Sequence, residues 1–208
     1  CAIDGVTGRD LSSKDFVLAL DTCGEPSVIP RSVGAGLVDS VSATGASVSW
    51  GTTAVSAAGG QYRLCWCNGY IESTPQNGFA LACSVADHFR VDFGELNLIG
   101  VSPLYQDRTC VSGQTCEFDG IVGHDLSGVD RFLVLDTCAA TNVLPRFLTS
   151  GLLLSMSSSG ARVSWGSMAV TAEGGQYRLC WCAGVQTWTA YMAPNCHARA
   201  SMRSCLPC

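Results

Sequence analysis

The residues of this chain with the most obvious chemical potential are its 13 cysteines. Cysteines form disulfides in oxidising compartments, and clusters of Cys and His bind zinc. Two short motifs, Cys65-Trp-Cys67 and Cys180-Trp-Cys182, place a single residue between neighbouring thiols. Structural zinc sites more often use a wider spacing, so the motifs favour disulfides. We therefore expect an extracellular, disulfide-bonded protein.

Zinc is the alternative use of these thiols, because histidines lie near them. A structural site needs four such ligands in tetrahedral geometry. The first candidate set is Cys65, Cys67, Cys83 and His88, and its copy is Cys180, Cys182, Cys196 and His197.

Calcium is a second metal to consider, because aspartates flank glycine turns twice in the chain. Asp4-Gly-x-x-Gly-x-Asp10 recurs as Asp119-Gly-x-x-Gly-x-Asp125. Carboxylate oxygens coordinate calcium, but the pattern lacks the full ligand set of an EF-hand loop. Aspartate is also an ordinary turn residue, and we expect no cofactor.

Catalytic patterns are not evident. His88, His124 and His197 occupy unrelated positions, and no serine lies in a G-x-S-x-G nucleophile elbow. Asp21 and Asp136 precede the same Thr-Cys pair, where strand-end hydrogen bonding is their expected role. We expect the protein not to be an enzyme.

The elements that position these cysteines come from an internal duplication. Shifting the chain by 115 residues places Cys23 on Cys138 and makes more than half of the first 69 positions identical. The longest identical block is GGQYRLCWC, at 59–67 and 174–182. The repeat predicts two modules, 1–109 and 110–208, joined through a junction loop at 101–116.

Within each module the apolar residues alternate with a period of two. Phe16, Leu18 and Leu20 share one face of a first predicted strand. Tyr62 and Leu64 share one face of a second predicted strand. This period is typical of half-buried strands. We predict an all-β protein of two tandem immunoglobulin-like β-sandwich modules. The segment Phe89–Gly100 would close the first sandwich, and the second lacks such a closing strand.

The repeat narrows the disulfide connectivity, which sequence alone does not fix. We favour matching pairs in the two modules and a small loop at the junction. These pairs are Cys23–Cys65, Cys67–Cys83, Cys110–Cys116, Cys138–Cys180 and Cys182–Cys196.

Three cysteines are left over, Cys1, Cys205 and Cys208. One hypothesis is a disulfide between subunits, from Cys1 of one copy to Cys205 or Cys208 of its neighbour. The alternative is that the chain is cut from a longer one and these thiols have lost their native partners.

The tryptophans divide into two groups. Four recur with the repeat, which favours core packing: Trp50, Trp66, Trp165 and Trp181. Trp188, Tyr191 and Met192 do not recur, and they would form an apolar ribbon in the second module. Such a ribbon is either a partner surface or a hairpin loop folded over its own module.

Composition excludes several other classes. With 47% hydrophobic and 14% charged residues the chain is not disordered, and its net charge of −5 argues against nucleic-acid binding. No apolar run is long enough to span a membrane. The chain contains no Asn-x-Ser/Thr sequon, while its many Ser and Thr residues permit O-linked glycans.

Three blocks carry a resemblance to a known group: QYRLCWC at 61–67, FRVDFGEL at 89–96 and DRTCVSGQTC at 107–116. Together they resemble the cysteine-rich tandem repeats (LCWC type) of large extracellular proteins of protists. The cysteine repeat modular proteins and the mastigoneme-type flagellar-hair proteins are the nearest groups. The resemblance implies an extracellular, modular and structural role.

The function predicted from these features is that of a subunit in an extracellular filament. Copies would assemble head-to-tail by strand complementation, by an intersubunit disulfide, or by both, with Phe89–Gly100 as a donor strand if its own module does not use it. The alternative is a cell-surface adhesion or receptor ectodomain that binds glycan or protein.

Overall fold

The period-two alternation of the sequence appears in three dimensions as short antiparallel strands. The computed structural model describes residues 1–69 and 83–184, and these contain no α-helix. The prediction of an all-β protein is therefore confirmed. The chain divides into two compact units, of which the first is Cys1–Leu98 and the second begins at Ile99. The predicted module boundary, between 109 and 110, lies inside the second unit.

The first unit contains two three-stranded antiparallel sheets, one in the order β1-β4-β3 and the other in the order β2-β5-β6. A short 3-10 turn, Ala86–His88, precedes the last strand. The strands are β1 Ala2–Asp4, β2 Phe16–Leu20, β3 Ser40–Val41, β4 Ser47–Ser49, β5 Gly60–Cys67 and β6 Val91–Leu98.

The main core of the first unit takes residues from both sheets. Val17, Tyr62 and Leu98 come from the β2-β5-β6 sheet, and Val48 comes from the other sheet. Trp50, which follows β4, is buried in the same cluster. Because each small sheet covers the apolar face of the other, neither has to be stable alone.

Strand β2 is buried on both faces, which the alternation did not predict. Val17 and Ala19 lie in the main core, whereas Leu18 and Leu20 pack with Cys65 in a second, smaller cluster. The disulfide-bonded loops therefore cover the face of β2 that would otherwise meet solvent. The expectation of a half-buried strand is wrong here, because small loops held by disulfides build a second layer.

Strand β6 closes the first unit by pairing with β5 along seven register positions, from Gly60↔Leu98 to Trp66↔Val91. The register shifts between Leu64 and Cys65, which leaves Phe93 as the extra residue of a β-bulge. The segment Phe89–Gly100 is thus used within its own unit. The hypothesis that it is an unused donor strand is wrong.

The second unit repeats this arrangement with shorter strands. Its sheets have the orders β8-β12-β11, β10-β13 and β7-β9. Strands β8, β12, β11, β10 and β13 correspond by the repeat to β1, β4, β3, β2 and β5. The strands are β7 Gly100–Val101, β8 Glu117–Phe118, β9 Gly123–His124, β10 Arg131–Leu135, β11 Ser155–Met156, β12 Val163–Ser164 and β13 Arg178–Cys182.

A tight turn recurs in both units, at Val33–Gly36 and Leu148–Gly151. Its two central residues have left-handed φ/ψ angles in each copy. The turn ends on a glycine with φ of +95° (Gly36) or +88° (Gly151), and a Cβ on either would lie 2.5 Å from a backbone oxygen of the adjacent strand. Glycine is required because the turn lies directly against that strand.

No helix among the described residues has the length and apolar character needed to cross a membrane.

Candidate functional site

The cysteines form a framework of disulfides. Two bonds link elements of the first unit, Cys23–Cys65 and Cys67–Cys83. In the second unit the bonds are Cys110–Cys116 and Cys138–Cys180. These are four of the five pairs predicted from the sequence. The sulfur of Cys65 lies in the smaller cluster with Leu18 and Leu20, on the opposite face of the sheet from Trp50.

The remaining cysteines are only partly described. Cys1 and Cys182 also take part in disulfides. Cys196, the predicted partner of Cys182, and the two candidates for an intersubunit bond, Cys205 and Cys208, lie outside the described residues.

The zinc hypothesis is wrong for Cys65, Cys67 and Cys83, because their sulfurs are bonded to other cysteines. His197 lies outside the described residues. Across 1–69 and 83–184 no three His, Cys, Asp or Glu side chains converge on a point that could hold a metal ion. The calcium candidates Asp10 and Asp125 instead occupy left-handed turn positions.

The histidines lie in different surroundings, as their positions in the repeat predict. His88 ends the 3-10 turn before β6, and His124 lies in β9 with its Nε2 atom 3.7 Å from Asp125 Oδ2. Asp21 follows β2 and Asp136 follows β10, and both are exposed. The structure does not bring these residues together into a catalytic arrangement within the described part of the chain.

Two of the repeated tryptophans lie at the centre of the cores. Trp50 donates from Nε1 to the Gly36 carbonyl at 2.8 Å, and Trp165 donates to the Gly151 carbonyl at 2.9 Å. Each ring thereby ties the left-handed turn to the core. The ribbon of Trp188, Tyr191 and Met192 lies outside the described residues.

A buried aspartate anchors the end of β13. Asp130 is 2% exposed and accepts hydrogen bonds from Ser127 N (3.0 Å), Ser127 Oγ (3.2 Å), Trp181 Nε1 (3.2 Å) and Gly184 N (2.9 Å). In the first unit, Ser12 N at 2.8 Å is the one donor to Asp15 among the described residues. The indole nitrogen of Trp66 there is buried and has no hydrogen-bond partner within 1–69 and 83–184. The equivalent aspartates Asp15 and Asp130 therefore accept different numbers of hydrogen bonds from the described residues of their units.

This difference predicts unequal costs for the same substitution. Asp130→Ala should lower the free energy of unfolding by about 2–3 kcal/mol, because the partly buried N–H groups of Trp181 and Gly184 lose their charged acceptor. Asp15→Ala, the matched control, should cost only about 1 kcal/mol. Urea denaturation of the two variants measures both values, and equal costs would contradict the assignment.

Each unit has a sheet edge without a described partner, and we consider these edges as the candidate interaction site. In the first unit the edge lies on the side of β6 away from β5, over residues 91–96, and we call it the acidic edge. In the second unit it lies on the side of β13 away from β10, over residues 178–181, and we call it the basic edge. Open edges offer backbone N–H and C=O groups to a further strand.

The acidic edge takes its name from Asp92 and Glu95, which are 40% and 47% exposed. Arg63 on β5 donates to Asp92 twice, from Nε at 2.7 Å and from Nη2 at 2.8 Å. Arg63 is 3.8 Å from Glu95, a longer contact. The hydrogen bond from Arg63 is the main cause that lowers the pKa of Asp92, and a bond from the Gly94 amide acts in the same direction.

The lowered pKa of Asp92 predicts a small loss of stability in acid. The folded state binds this proton less tightly than the unfolded state, so the stabilisation is present above the ordinary carboxyl pKa of 3.8. This stabilisation disappears as the pH falls through the lowered pKa that Asp92 has in the folded state. Carboxyl NMR titration should give an Asp92 midpoint below the ordinary carboxyl pKa of 3.8. The same titration in Arg63→Gln should move the Asp92 midpoint upward, and an unchanged midpoint would contradict the pairing.

The basic edge has the same sequence as β5 but different surroundings. Arg178 is the repeat equivalent of Arg63, yet it is exposed and forms no ion pair with any described residue. Tyr62 and Leu64 of β5, which pairs with β6, are 7% and 5% exposed, whereas their equivalents Tyr177 and Leu179 are only half-buried. The second unit therefore presents a strand whose sequence fits a partner strand.

Sequence reasoning missed the residues that distinguish these edges. The two arginines lie inside the repeated GGQYRLCWC block, and the acids lie in VDFGEL. Opposite charges on two predicted strands of one module were the available signal. Asp130 was missed as well, although Ser12-x-x-Asp15 and Ser127-x-x-Asp130 recur with the repeat.

Comparison of the chain with protein-family models, with curated proteins and with solved structures finds no match in any of the three.

Proposed function

We propose that this chain is an extracellular structural protein whose copies assemble head-to-tail into a filament. One observation carries the proposal: β6 in the first unit and β13 in the second are edge strands of different sheets, and each lacks a described hydrogen-bonded partner strand on one side. An interface between two different surfaces of the same molecule does not close on itself unless the rotation happens to form a ring. It therefore extends into a filament.

The extracellular assignment is supported by the disulfide framework. Four disulfides lie among the described residues, and such bonds persist in oxidising environments. The resemblance of the LCWC blocks to extracellular repeats of protists points to the same compartment. No intersubunit bond through Cys1 enters the proposal, because this cysteine already takes part in a disulfide.

We assign each unit to the immunoglobulin-like sandwich class as part of this proposal. The shared core between the β1-β4-β3 and β2-β5-β6 sheets supports the assignment. Immunoglobulin domains place a disulfide between the sheets beside a tryptophan. Here Cys65 and Trp50 lie on opposite faces, so the units would be a variant of that class.

The test is the assembly state of the whole chain, secreted with its disulfides intact. Sedimentation velocity should show species that grow continuously with concentration, and negative-stain electron microscopy should show filaments of constant width. A monomer at every concentration would overturn the proposal. A closed dimer of fixed mass would also overturn it, because head-to-tail contacts do not stop at two copies.

A further inference from the structure

We infer that Tyr105 is a site of oxidative cross-linking, at which the phenol rings of two copies of this chain are joined by a carbon–carbon bond. The inference deepens the proposed function and rests on it for its setting, because covalent bonds between copies strengthen an extracellular assembly. The chemistry needs an exposed tyrosine, little competition from thiols, and an oxidant from outside the chain. The described residues meet the first two of these requirements.

Tyr105 is the most exposed of the large apolar side chains that the structure describes. It is 88% exposed, whereas the next, Met168, is 69% exposed. Its hydroxyl forms no hydrogen bond with a described residue. Nearly the whole ring is therefore accessible, including the carbon atoms beside the hydroxyl, at which two phenol rings couple.

The loop that carries Tyr105 is held in place on both sides of the ring. Gln106 donates from Nε2 to the carbonyls of Pro103 (2.7 Å) and Val122 (2.6 Å), and its Oε1 atom accepts from Val122 N at 2.8 Å. The amide of Ser102 donates to the Val122 carbonyl at 3.1 Å. Both flanks of the loop are thus bonded to the same residue, and the loop between them presents the ring to solvent.

The other tyrosines of the described ranges are unsuited to this reaction. Tyr62 is 7% exposed, and its hydroxyl donates to the Ala58 carbonyl at 2.8 Å. Burial is the main cause that raises the pKa of Tyr62, so its phenolic proton is held more firmly. Tyr177 is half-buried and donates to the Glu173 carbonyl at 2.8 Å. Neither ring is free to bring its edge against a ring of another molecule.

The described cysteines do not compete for the oxidant. Oxidation of cysteine proceeds through the thiolate, and all ten cysteines within 1–69 and 83–184 take part in disulfides. Trp50 and Trp165 are shielded from solvent, at 3% and 1% exposed. Met168 is open to oxidation, but a methionine sulfoxide joins no chains. Oxidation at Tyr105, by contrast, produces a bond between two copies.

The reaction balances with hydrogen peroxide as the oxidant and a haem peroxidase as the catalyst. Each phenol gives up one electron and its hydroxyl proton, which leaves a phenoxyl radical. Two radicals couple through the carbons beside their oxygens, and each ring then transfers the hydrogen of that carbon to its oxygen. The peroxide accepts the two electrons and two protons and leaves as two molecules of water.

The charges around Tyr105 permit two copies to approach each other. The net charge of the chain is −5, which opposes association of identical molecules. Within residues 102–108, however, Asp107 and Arg108 cancel, so this loop has no formal charge. More distant charges are largely screened beyond about 8 Å at physiological ionic strength. Two such loops therefore meet without the repulsion that the net charge of the chain implies.

The cross-link complements the proposed filament contact. A bond between Tyr105 of one copy and Tyr105 of another joins the same residue twice, so that contact is isologous. The filament contact is heterologous, because it joins two different surfaces. The cross-link therefore fits a connection between neighbouring filaments.

The test uses the full chain with its disulfides intact, treated with hydrogen peroxide and a haem peroxidase and then reduced and denatured. Electrophoresis should show a dimer that survives reduction, and mass spectrometry of its digest should identify two linked peptides that each contain Tyr105. Tyr105→Phe should lose this dimer, because phenylalanine has no hydroxyl hydrogen to give up. Tyr177→Phe, the matched control at a half-buried tyrosine, should leave the yield of dimer unchanged.

Three results would overturn the inference. These are the absence of a reduction-resistant dimer from the wild type, an undiminished dimer from Tyr105→Phe, and a cross-link at Tyr70 or Tyr191 in place of Tyr105. The last two tyrosines lie outside the described residues.

The same experiment distinguishes failure of the cross-link from failure of the filament. Filaments seen by electron microscopy that yield no linked Tyr105 peptides would leave the filament standing and the cross-link wrong. Linked Tyr105 peptides from a chain that sedimentation velocity shows to be a monomer before treatment would leave the cross-linking site standing and the filament wrong.

Discussion

Trp165→Ala is expected to unfold the second unit, with a loss of about 3–5 kcal/mol in the free energy of unfolding. The indole is 1% exposed and lies between Phe118 and Phe147, at ring-centroid distances of 5.6 and 5.8 Å. Alanine would leave a large apolar cavity and would also release the Gly151 carbonyl from its hydrogen bond. A loss of this size is comparable to the whole stability of a small domain.

Trp165→Phe separates the contribution of apolar packing from that of the hydrogen bond to Gly151. Phenylalanine keeps most of the apolar volume but cannot donate to Gly151, so it should cost about 1–2 kcal/mol. Hydrogen exchange measured by mass spectrometry locates the effect. For Trp165→Ala, faster exchange should appear first in β10, β12 and β13. Exchange that increased equally in β2 and β5 would contradict a core confined to the second unit.

Removal of the Cys23–Cys65 bond is expected to cost about 4 kcal/mol, by the entropy of closing its loop in the unfolded chain. Its two cysteines are 42 residues apart. Cys65 is 0% exposed and packs against Leu18 and Leu20, so paired replacement by alanine keeps the site apolar. Secretion of the variant at physiological temperature should fall sharply, because unfolded chains are retained.

The Cys110–Cys116 bond is the matched control, because it closes a loop with a separation of only 6 residues. Its paired replacement by alanine should cost about 2 kcal/mol, so the two variants should differ about twofold. The replacement of Cys138 and Cys180, which have the same separation as Cys23 and Cys65, should match the larger value. If removal of the two bonds lowered the free energy of unfolding equally, constraint of the unfolded chain would not be the main way in which these disulfides stabilise the protein.

These disulfides also help to hold such short strands in place. Several strands contain only two or three residues, which is less than an isolated sheet needs for stability. A disulfide fixes Cys65 on β5, and its equivalent fixes Cys180 on β13. The disulfides therefore fix β13, and β5 beside β6, to neighbouring loops.

Much of the architecture was predictable from the sequence because it is local or duplicated. Alternation at Phe16–Leu20 and at 61–67 predicted strands β2 and β5, because side chains on a strand point to opposite faces in turn. The shift of 115 residues predicted which cysteines are equivalent, and so narrowed the pairing to Cys23–Cys65 and its copy. These inferences needed no knowledge of which strands lie side by side.

The use of each face and each edge was decided only by the tertiary structure. Burial of Leu18 and Leu20 depends on disulfide-bonded loops from elsewhere in the chain, and the Arg63–Asp92 contact depends on the register between β5 and β6. The identical block at 59–67 and 174–182 shows the limit most clearly, because Arg63 is paired and Arg178 is exposed. Thirteen cysteines and a repeat determined the framework. Which strands pair, and in which register, was decided by contacts between residues far apart in sequence, where the local pattern carries no register.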